Sequence, residues 1–406
     1  MDPRSAYVHI PFCHRRCFYC DFPVVPLGDR ADGSRSGSIA AYLELLQREI
    51  AASPGGPPLA TVYFGGGTPS MLTPAQVGGL LEALSHRFGL APGAELSLEL
   101  DPASFDEARL AGYLAAGINR VSLGGQSFDD RVLADLGRRH RAADLGQAAG
   151  WLRRARCRGE LASWSLDLIQ GLPGQSAAHW EGQLDQAIAL EPPHLSVYDL
   201  IVEPGTVFER RQERGALALP PEDLAADLME RTWARLTAAG YGHYEISNYA
   251  LPGHASRHNR VYWSGAGWWG FGMGATGAPR GRRRAHPRTR AGYAAALASP
   301  APLSADDQDG PHSEGMPFDE LLLVGLRRRE GVNLGELARR QRLDPALVED
   351  LRRRLRDQEQ RGLLCIEGPR WRLADPAGLA LSNGVLREML AWWEELQEAP
   401  QGPVAP

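Results

Sequence analysis

Cys13, Cys17 and Cys20 fall within eight residues of the stretch YVHIPFCHRRCFYCDF (Tyr7–Phe22), and the 406-residue chain has only two further cysteines, Cys157 and Cys365. Three thiols this close cannot all pair as disulfides, so they point to a metal centre or to redox chemistry. Structural zinc takes four Cys or His ligands. His9 and His14 are near, but no second cysteine pair completes a ribbon or knuckle. A redox Cys-x-x-Cys made of Cys17 and Cys20 leaves Cys13 unexplained. An iron–sulfur cluster accounts for the set better. A cubane cluster normally takes four thiolates, so three leave one iron open to another ligand. Cys157 and Cys365, isolated in sequence, are expected as buried free thiols.

The elements that must position this loop follow from the periodicity of the chain. The loop leaves a β-rich run, Ala6–Ile10, and five more runs follow: Thr61–Phe64, Glu95–Leu100, Arg120–Leu123, Trp164–Ile169 and His194–Ile201. Helical patterns lie between and after them: Ile39–Ala52, Pro74–Phe88, Asp106–Ala116, Ala142–Ala155, Ser176–Leu190 and Pro221–Ala239. Six such alternations imply βαβ units and a parallel sheet. The strands are expected to be apolar almost throughout, as in a sheet covered on both faces. Candidate functional residues follow nearly every strand: the cysteines, then GGGTPS, Asp101, Gln126 and GLPGQ. An open sheet gathers its ligand contacts at one switch point, whereas a barrel draws them from all strand ends. The fold class is therefore α/β, a partial (β/α)6 barrel over residues 1–242.

Residues 243–300 are irregular and rich in Trp and Tyr, and are expected to pack on the barrel as a lid or side wall. Ser299–Gly315 reads as a linker. Residues 316–396 show three helical stretches (Phe318–Arg329, Leu334–Arg340 and Pro345–Gly362) and a hairpin from LLCIEG and RWRLAD. That pattern suggests a small winged-helix-like α+β domain, followed by a disordered tail at 397–406.

Composition narrows the function. Hydrophobic residues make up 43% and charged residues 23%, ordinary values for a globular protein with a real core. A formal net charge of -5 gives no general reason to expect nucleic acid. The arginine runs in the C-terminal helices alternate with Glu and Asp, as a solvated face does; a second run, Arg280–Arg290, is read as surface or as a site for carboxylates. No apolar run reaches the ~18 residues of a membrane span. The N-terminus lacks the basic and apolar regions of a signal peptide, and clustered cysteines suit a reducing, cytoplasmic setting.

Two glycine motifs need separation. GGGTPS follows a strand but lacks the Gly-Lys-Ser/Thr ending of a phosphate loop. Gly272, Gly274 and Gly277 spell G-x-G-x-x-G, but APRGRRR follows instead of a helix, and no dinucleotide site is expected. Asp167, inside the apolar WSLDLIQGLPG, needs a buried partner or a ligand.

At these residues the chain resembles a family. Cys-x3-Cys-x2-Cys after a first strand is the signature of radical S-adenosylmethionine (SAM) enzymes. YVHIPFC, YFGGGTPS, INRVSLGGQSF, LGRRH, LDLIQGLPGQ, LSVYDLIVEPGT and YEISNYALPGHASRHNRVYW follow in order. Together they resemble the branch that holds the oxygen-independent coproporphyrinogen III oxidases and the heme chaperone HemW family. The resemblance implies a [4Fe–4S] cluster on Cys13, Cys17 and Cys20, whose open iron binds SAM. One electron then cleaves the sulfonium to a 5′-deoxyadenosyl radical. It maps SAM contacts onto Gly66, Gly67, Thr68, Glu99, Gln126, Arg138 and Asp167, with Tyr7 and Tyr19 packed near the cofactor. His258, in HNRVYW, is implied as a heme ligand, against the alternative of a structural hydrogen bond; His243, His254 and His9 are lesser candidates.

One position separates the two branches. The oxidases carry a fourth cysteine where this chain has Phe22, and the form CDF, like HNRVYW, is that of the chaperones. The resemblance thus implies a chaperone that binds heme as cargo and hands it to a recipient hemoprotein, with peripheral membrane association as one role for the cluster. The alternative is an oxidase that decarboxylates coproporphyrinogen III. The chain departs from the pattern at Thr276, where a histidine is usual, at Gly125, where a larger apolar residue is common, and in the hydrophilic insertion PLGDRADGSRSGS, a candidate mobile cover.

Overall fold

The computed structural model describes residues 2–29, 31–299 and 315–398. Six parallel strands form its centre: Ser5–Ile10, Leu59–Gly66, Leu90–Leu100, Arg120–Gln126, Ser163–Gln170 and His194–Asp199, paired in chain order. Helices Gly37–Ala52, Pro74–Phe88, Glu107–Ala115, Ala142–Cys157 and Ala177–Ala189 cross between them, and Glu222–Ala238 follows the last. Short polar side chains start these helices. Thr73 accepts from the Gln76 amide at 3.2 Å while Gln76 Oε1 accepts from the Thr73 amide at 2.8 Å. Ser36, Asp106 and Ser176 cap theirs alone.

Six strands do not close the barrel, and the region 243–300 extends the sheet at both edges. Trp269–Phe271 adds a parallel strand beside Ser5–Ile10, and the hairpin Gly242–Glu245 with Asn248–Ala250 adds two antiparallel strands beside His194–Asp199. Trp269, Phe271 and Tyr293 belong to the same buried cluster as Val8, Phe64 and Leu98. The region is therefore a wall of the barrel rather than a lid over it, and a boundary at 242 falls inside a strand.

The expectation of strands apolar on both faces is corrected. One face is apolar: Val8, Ile10, Val62, Phe64, Leu96, Leu98, Val121, Leu123, Leu166 and Leu195 are buried in the main core. The other is polar: Thr61 and Tyr63, Glu95 and Glu99, Arg120 and Ser122, Ser165 and Asp167, His194 and Ser196. Neighbours on that face are paired in register, as Tyr63 with Ser97, Glu99 with Ser122, and Asp167 with Ser196. A curled sheet turns its inner face toward itself, so these groups face one another instead of meeting helices.

A second core of Phe318, Leu326, Leu351, Trp371, Leu386 and Trp392 builds the C-terminal unit. Its helices are Phe318–Leu326, Leu334–Arg340, Pro345–Arg354 and the short Arg356–Gln360. Arg370–Leu373 pairs with Leu364–Glu367 as expected, and Val332–Asn333 adds a third strand. A further helix, Ser382–Glu398, had no counterpart in the sequence reading. The expected tail begins inside this helix at Gln397; its remainder, and most of the expected linker at 299–315, lie outside the described residues. The two units are joined by backbone: the Ile246 amide donates to the Arg327 carbonyl at 3.0 Å and the Arg329 amide to the Tyr244 carbonyl at 3.2 Å. Cys157 is exposed and Cys365 partly so, which corrects their expected burial. Among the described residues no helix is long and apolar enough to cross a membrane.

Candidate cofactor site

After Ile10 the chain loops over the C-terminal ends of the strands. The loop folds back on itself, with the Val25 amide donating to the Pro11 carbonyl at 2.7 Å and the Leu27 amide to the Cys13 carbonyl at 2.9 Å. It is tied to the barrel where the Phe18 amide donates to the Leu136 carbonyl and the Phe208 amide to the Phe18 carbonyl, both at 3.0 Å. Cys13, Cys17 and Cys20 line one wall of a cavity of about 470 Å³. The hydrophilic insertion is bonded down rather than free to cover it. Gln76 Nε2 donates to the Gly33 carbonyl at 2.8 Å, the Gly33 amide donates to the Met71 carbonyl at 2.8 Å, and Asp29 pairs with Arg15 and Arg139.

The second strand ends against this wall. Gly66 has φ 116°, a left-handed backbone suited to glycine, and the His9 ring lies where a side chain would stand. A Cβ on Gly67 would lie 2.7 Å from the Phe12 carbonyl oxygen and 3.0 Å from Cys13 Sγ. Only bare backbone fits beside the first cysteine, and the Thr68 hydroxyl donates to that sulfur at 3.6 Å. Gly66, Gly67 and Thr68 all line the cavity.

Carboxylates come from the third and fifth strands. Glu99 accepts the Tyr63 hydroxyl at 2.9 Å and the Gly66 amide at 3.0 Å. Burial pushes it up to about 7; the Tyr63 hydrogen bond opposes this, and the nearby Asp167 charge adds to it. Asp167 is raised too, by burial, against hydrogen bonds from Ser122 at 2.5 Å and Ser165 at 3.1 Å. Gln126 has φ 63°, at a shift of register between Gly124 and Gln126. A non-glycine residue held there stores on the order of 1 kcal/mol, and its side chain lines the cavity.

Arg138 links these groups to the cysteines. It donates to Asp101 Oδ2 at 2.8 Å and to the Gly124 carbonyl at 2.9 Å, and lies 3.7 Å from Cys17 Sγ. Burial tends to raise Asp101, but Arg138 and His140 outweigh it and hold the carboxyl well below the usual range. Tyr19 forms a side of the cavity and packs on Phe208, ring centroids 6.5 Å apart. Tyr7 lies outside the lining, its hydroxyl 3.0 Å from His9 Nδ1 and its ring stacked on Tyr63.

His258 is not part of this cavity. It sits on the helix Arg257–Ser264, toward the N-terminal ends of the strands, fully buried. Both ring nitrogens are in use: Nδ1 is 2.7 Å from Thr61 Oγ1 and Nε2 is 2.7 Å from the Tyr262 hydroxyl. Burial pulls its pKa down to about 3, so the ring is neutral and fully bonded. His243 pairs with Asp375 and His254 with Ser163, neither in the cavity. The GLPGQ turn is also structural, with Gln175 Oε1 accepting the Gly171 amide at 2.8 Å. Arg288 donates to the Asp21 carbonyl at 2.6 Å, but nothing from Arg280–Arg290 lines the cavity. Gly125 is explained by packing: a Cβ there would lie 2.7 Å from Leu166 Cδ1.

The cavity contains residues the sequence did not single out, Tyr63, Ser122, Tyr198, Asp199, Arg139 and Ile201, together with Phe22. Tyr63, Ser122 and Tyr198 could have been found from strict alternation, since each shares the inner face with an assigned residue.

The donor set fits a cluster. Burial pushes the Cys13 thiol up to about 12 and the Cys20 thiol up to about 11, and a buried thiolate needs bound cationic metal to be stable. Arg138 Nε is buried without a partner, a spare donor beside Cys17 for an anionic group. Among the described residues no three His, Cys, Asp or Glu side chains are grouped to hold a single ion.

Comparison with known proteins follows the same lines. Residues 7–187 match the Radical SAM superfamily, and residues 318–380 the HemN C-terminal domain. Heme chaperone HemW of Synechocystis sp. is 45% identical over 343 residues, 82% of this chain and 80% of that protein. Heme chaperone HemW of Mycobacterium tuberculosis is 38% identical over 398 residues, 96% of this chain and 95% of that protein. The structure of coproporphyrinogen III oxidase (HemN) from Escherichia coli, a radical SAM enzyme, aligns with a TM-score of 0.75 at 21% identity, covering 95% of this chain and 90% of that one. At that identity the likeness is one of fold.

Proposed function

The chain belongs to the radical SAM superfamily and, within it, to the heme chaperone HemW family, and from this membership we propose that it binds a [4Fe–4S] cluster and SAM, accepts heme and delivers it to an apo-hemoprotein in the cytoplasm. The observation that carries the cofactor part is that Cys13, Cys17 and Cys20 line one cavity together with Glu99, Gln126 and Arg138. Cys13, Cys17 and Cys20 would hold three irons, and the open fourth would take SAM. When bound, the cluster supplies the electron that reduces the SAM sulfonium. The chain's own part is to hold and orient. The Gly66–Gly67 backbone brings the strand end against Cys13. Glu99 and Asp167 offer acceptors for hydroxyl or amine groups, and Arg138 offers a donor for a carboxylate. Phe22, exposed at the end of the cluster loop, supports delivery over decarboxylation, because the position offers no fourth thiol.

The reading is tested with anaerobically reconstituted protein. Titration with hemin should saturate at a fixed stoichiometry. Incubation with SAM, reductant and coproporphyrinogen III should leave the substrate unconverted. Sustained formation of protoporphyrinogen would replace the chaperone reading with the oxidase.

A further inference from the structure

The described residues expose four large apolar side chains, Phe22 (48%), Tyr198 (43%), Ile201 (64%) and Leu381 (46%), and the first three line the one cavity that holds the cysteines. Exposed apolar residues scattered singly need no explanation, but a contiguous patch marks a binding surface. Here the patch continues inward, because Val24, Ile169 and Leu200 line the same cavity. It draws on the cluster loop (Phe22, Val24), the end of the sixth strand (Tyr198) and the segment that leaves it (Leu200, Ile201).

The cavity is therefore divided by chemistry. Its floor is polar, with Glu99, Asp167, Ser122 and Gln126, and suits a ligand rich in hydroxyl and amine groups. Its rim is apolar and partly aromatic, and suits a flat ligand with little to hydrogen-bond. Four arginines also line it, and Arg138 is bonded to Asp101. Arg15 and Arg139 both pair with Asp29. The guanidinium of Arg16 bonds the Phe22 carbonyl at 2.5 Å and no carboxylate among the described residues. One cation with spare donors thus stands beside the apolar rim. An apolar face with a nearby site for a carboxylate is the recognition pattern of a tetrapyrrole that bears carboxylate side chains. A lipid surface would call for a flat patch with several unpaired basic residues; this patch is concave, and two of its arginines already share an aspartate.

Resting on the chaperone reading above, we propose that heme seats its macrocycle on Phe22 and Ile201, with Tyr198 at its edge and one propionate paired with Arg16. The heme site is then the mouth of the cofactor cavity, at the opposite end of the strands from His258. The seat lies outside the polar floor, so heme and SAM occupy separate parts of one cavity.

The test uses the full, cluster-reconstituted chain and hemin titrations followed by calorimetry. The double variant Phe22→Glu/Ile201→Glu should weaken hemin binding tenfold or more, while iron content and SAM affinity stay within twofold of the unaltered protein. Hemin affinity within twofold would overturn the proposal. If the double variant instead lost only its sedimentation with phosphatidylglycerol vesicles, hemin binding being unchanged, the rim would belong to a lipid surface and the proposal would fall. Should the double variant lose its cluster, Arg16→Glu serves instead. It should weaken hemin several-fold but leave the dimethyl ester of heme, which has no free carboxylate, bound as before; equal losses for both would overturn the pairing. An unaltered chain that does not bind hemin at all would defeat the chaperone reading, which is a separate outcome.

Discussion

Glu95 and Glu99 stand four residues apart on one face of one strand, at opposite ends of the barrel interior. Glu95 accepts the backbone amides of Arg257 and His258 at 3.1 and 2.9 Å and lies 3.7 Å from Arg120. It caps a helix that plugs the barrel from below, and its surroundings are closed by protein. Glu99 has the Tyr63 hydroxyl and the Gly66 amide, and beyond them an open cavity. The two ends use the same residue types to different purpose. Below, carboxylate, imidazole and phenol satisfy one another and hold the aromatic region to the sheet. Above, a carboxylate shifted to about 7, a strained glutamine and a half-bonded arginine are left facing space. Unpaired atoms occur at both ends, on Arg120 and His194 below and on Arg138 above; facing an open cavity, more than residue type, marks the site.

The largest break of this comparison is at the open end. Replacing Cys13, Cys17 or Cys20 by Ser removes one of three iron ligands, and reconstitution should yield less than about a tenth of the normal iron and sulfide, because losing a ligand from an already incomplete set cannot be compensated. The folding transition of the metal-free chain should shift little for Cys17 and Cys20, which are only half-buried. Full iron retention in any of the three would remove the cluster assignment.

At the closed end the effect should be on stability. His258→Ala leaves a cavity and unpairs both Thr61 and Tyr262, at a cost of about 2–4 kcal/mol in urea unfolding. Hemin affinity of the folded variant should match that of the unaltered chain. A variant of normal stability that fails to bind hemin would invert the comparison and restore His258 as a ligand.

Much of this was legible in the chain. The six βα units followed from the switch between periods of 2 and 3.6, because each period reports directly which face a residue joins. The cysteine spacing and GGGTPS located the cavity wall. The inner face was not recognised, although TVYFGG, ELSLEL and SWSLDL alternate polar and apolar residues; reading them as apolar runs assumed two helix-covered faces. His258 is ambiguous for a related reason. A histidine among aromatic residues has the same local sequence whether it faces a ligand or fills a plug, and only the contacts of Thr61 and Tyr262 tell the two apart. The helix Ser382–Glu398 was readable from Val385, Met389, Trp392 and Leu396, which recur every three or four residues. The Trp269–Phe271 strand was not readable, since three residues carry no period.

The finest test lies in Glu99 itself. In the metal-free chain the folded state holds the Glu99 proton up to about pH 7, while the unfolded chain releases it near its ordinary value of about 4.3. Between these limits unfolding releases a proton, so the stability contributed by Glu99 is greatest below about pH 4.3, falls as pH rises toward 7, and is level above it. The fall should be on the order of 2 kcal/mol, since cavity water screens part of the effect. Glu99→Gln should remove that part of the slope in urea unfolding measured from pH 4.5 to 8. Tyr63→Phe deletes the donor that pulls Glu99 down, so the fall should extend to higher pH by up to about one unit, or about 1 kcal/mol. If Tyr63→Phe instead left the profile where it was, water rather than Tyr63 would be the partner that matters at the open end, and the contrast between the two glutamates would rest on solvent access alone.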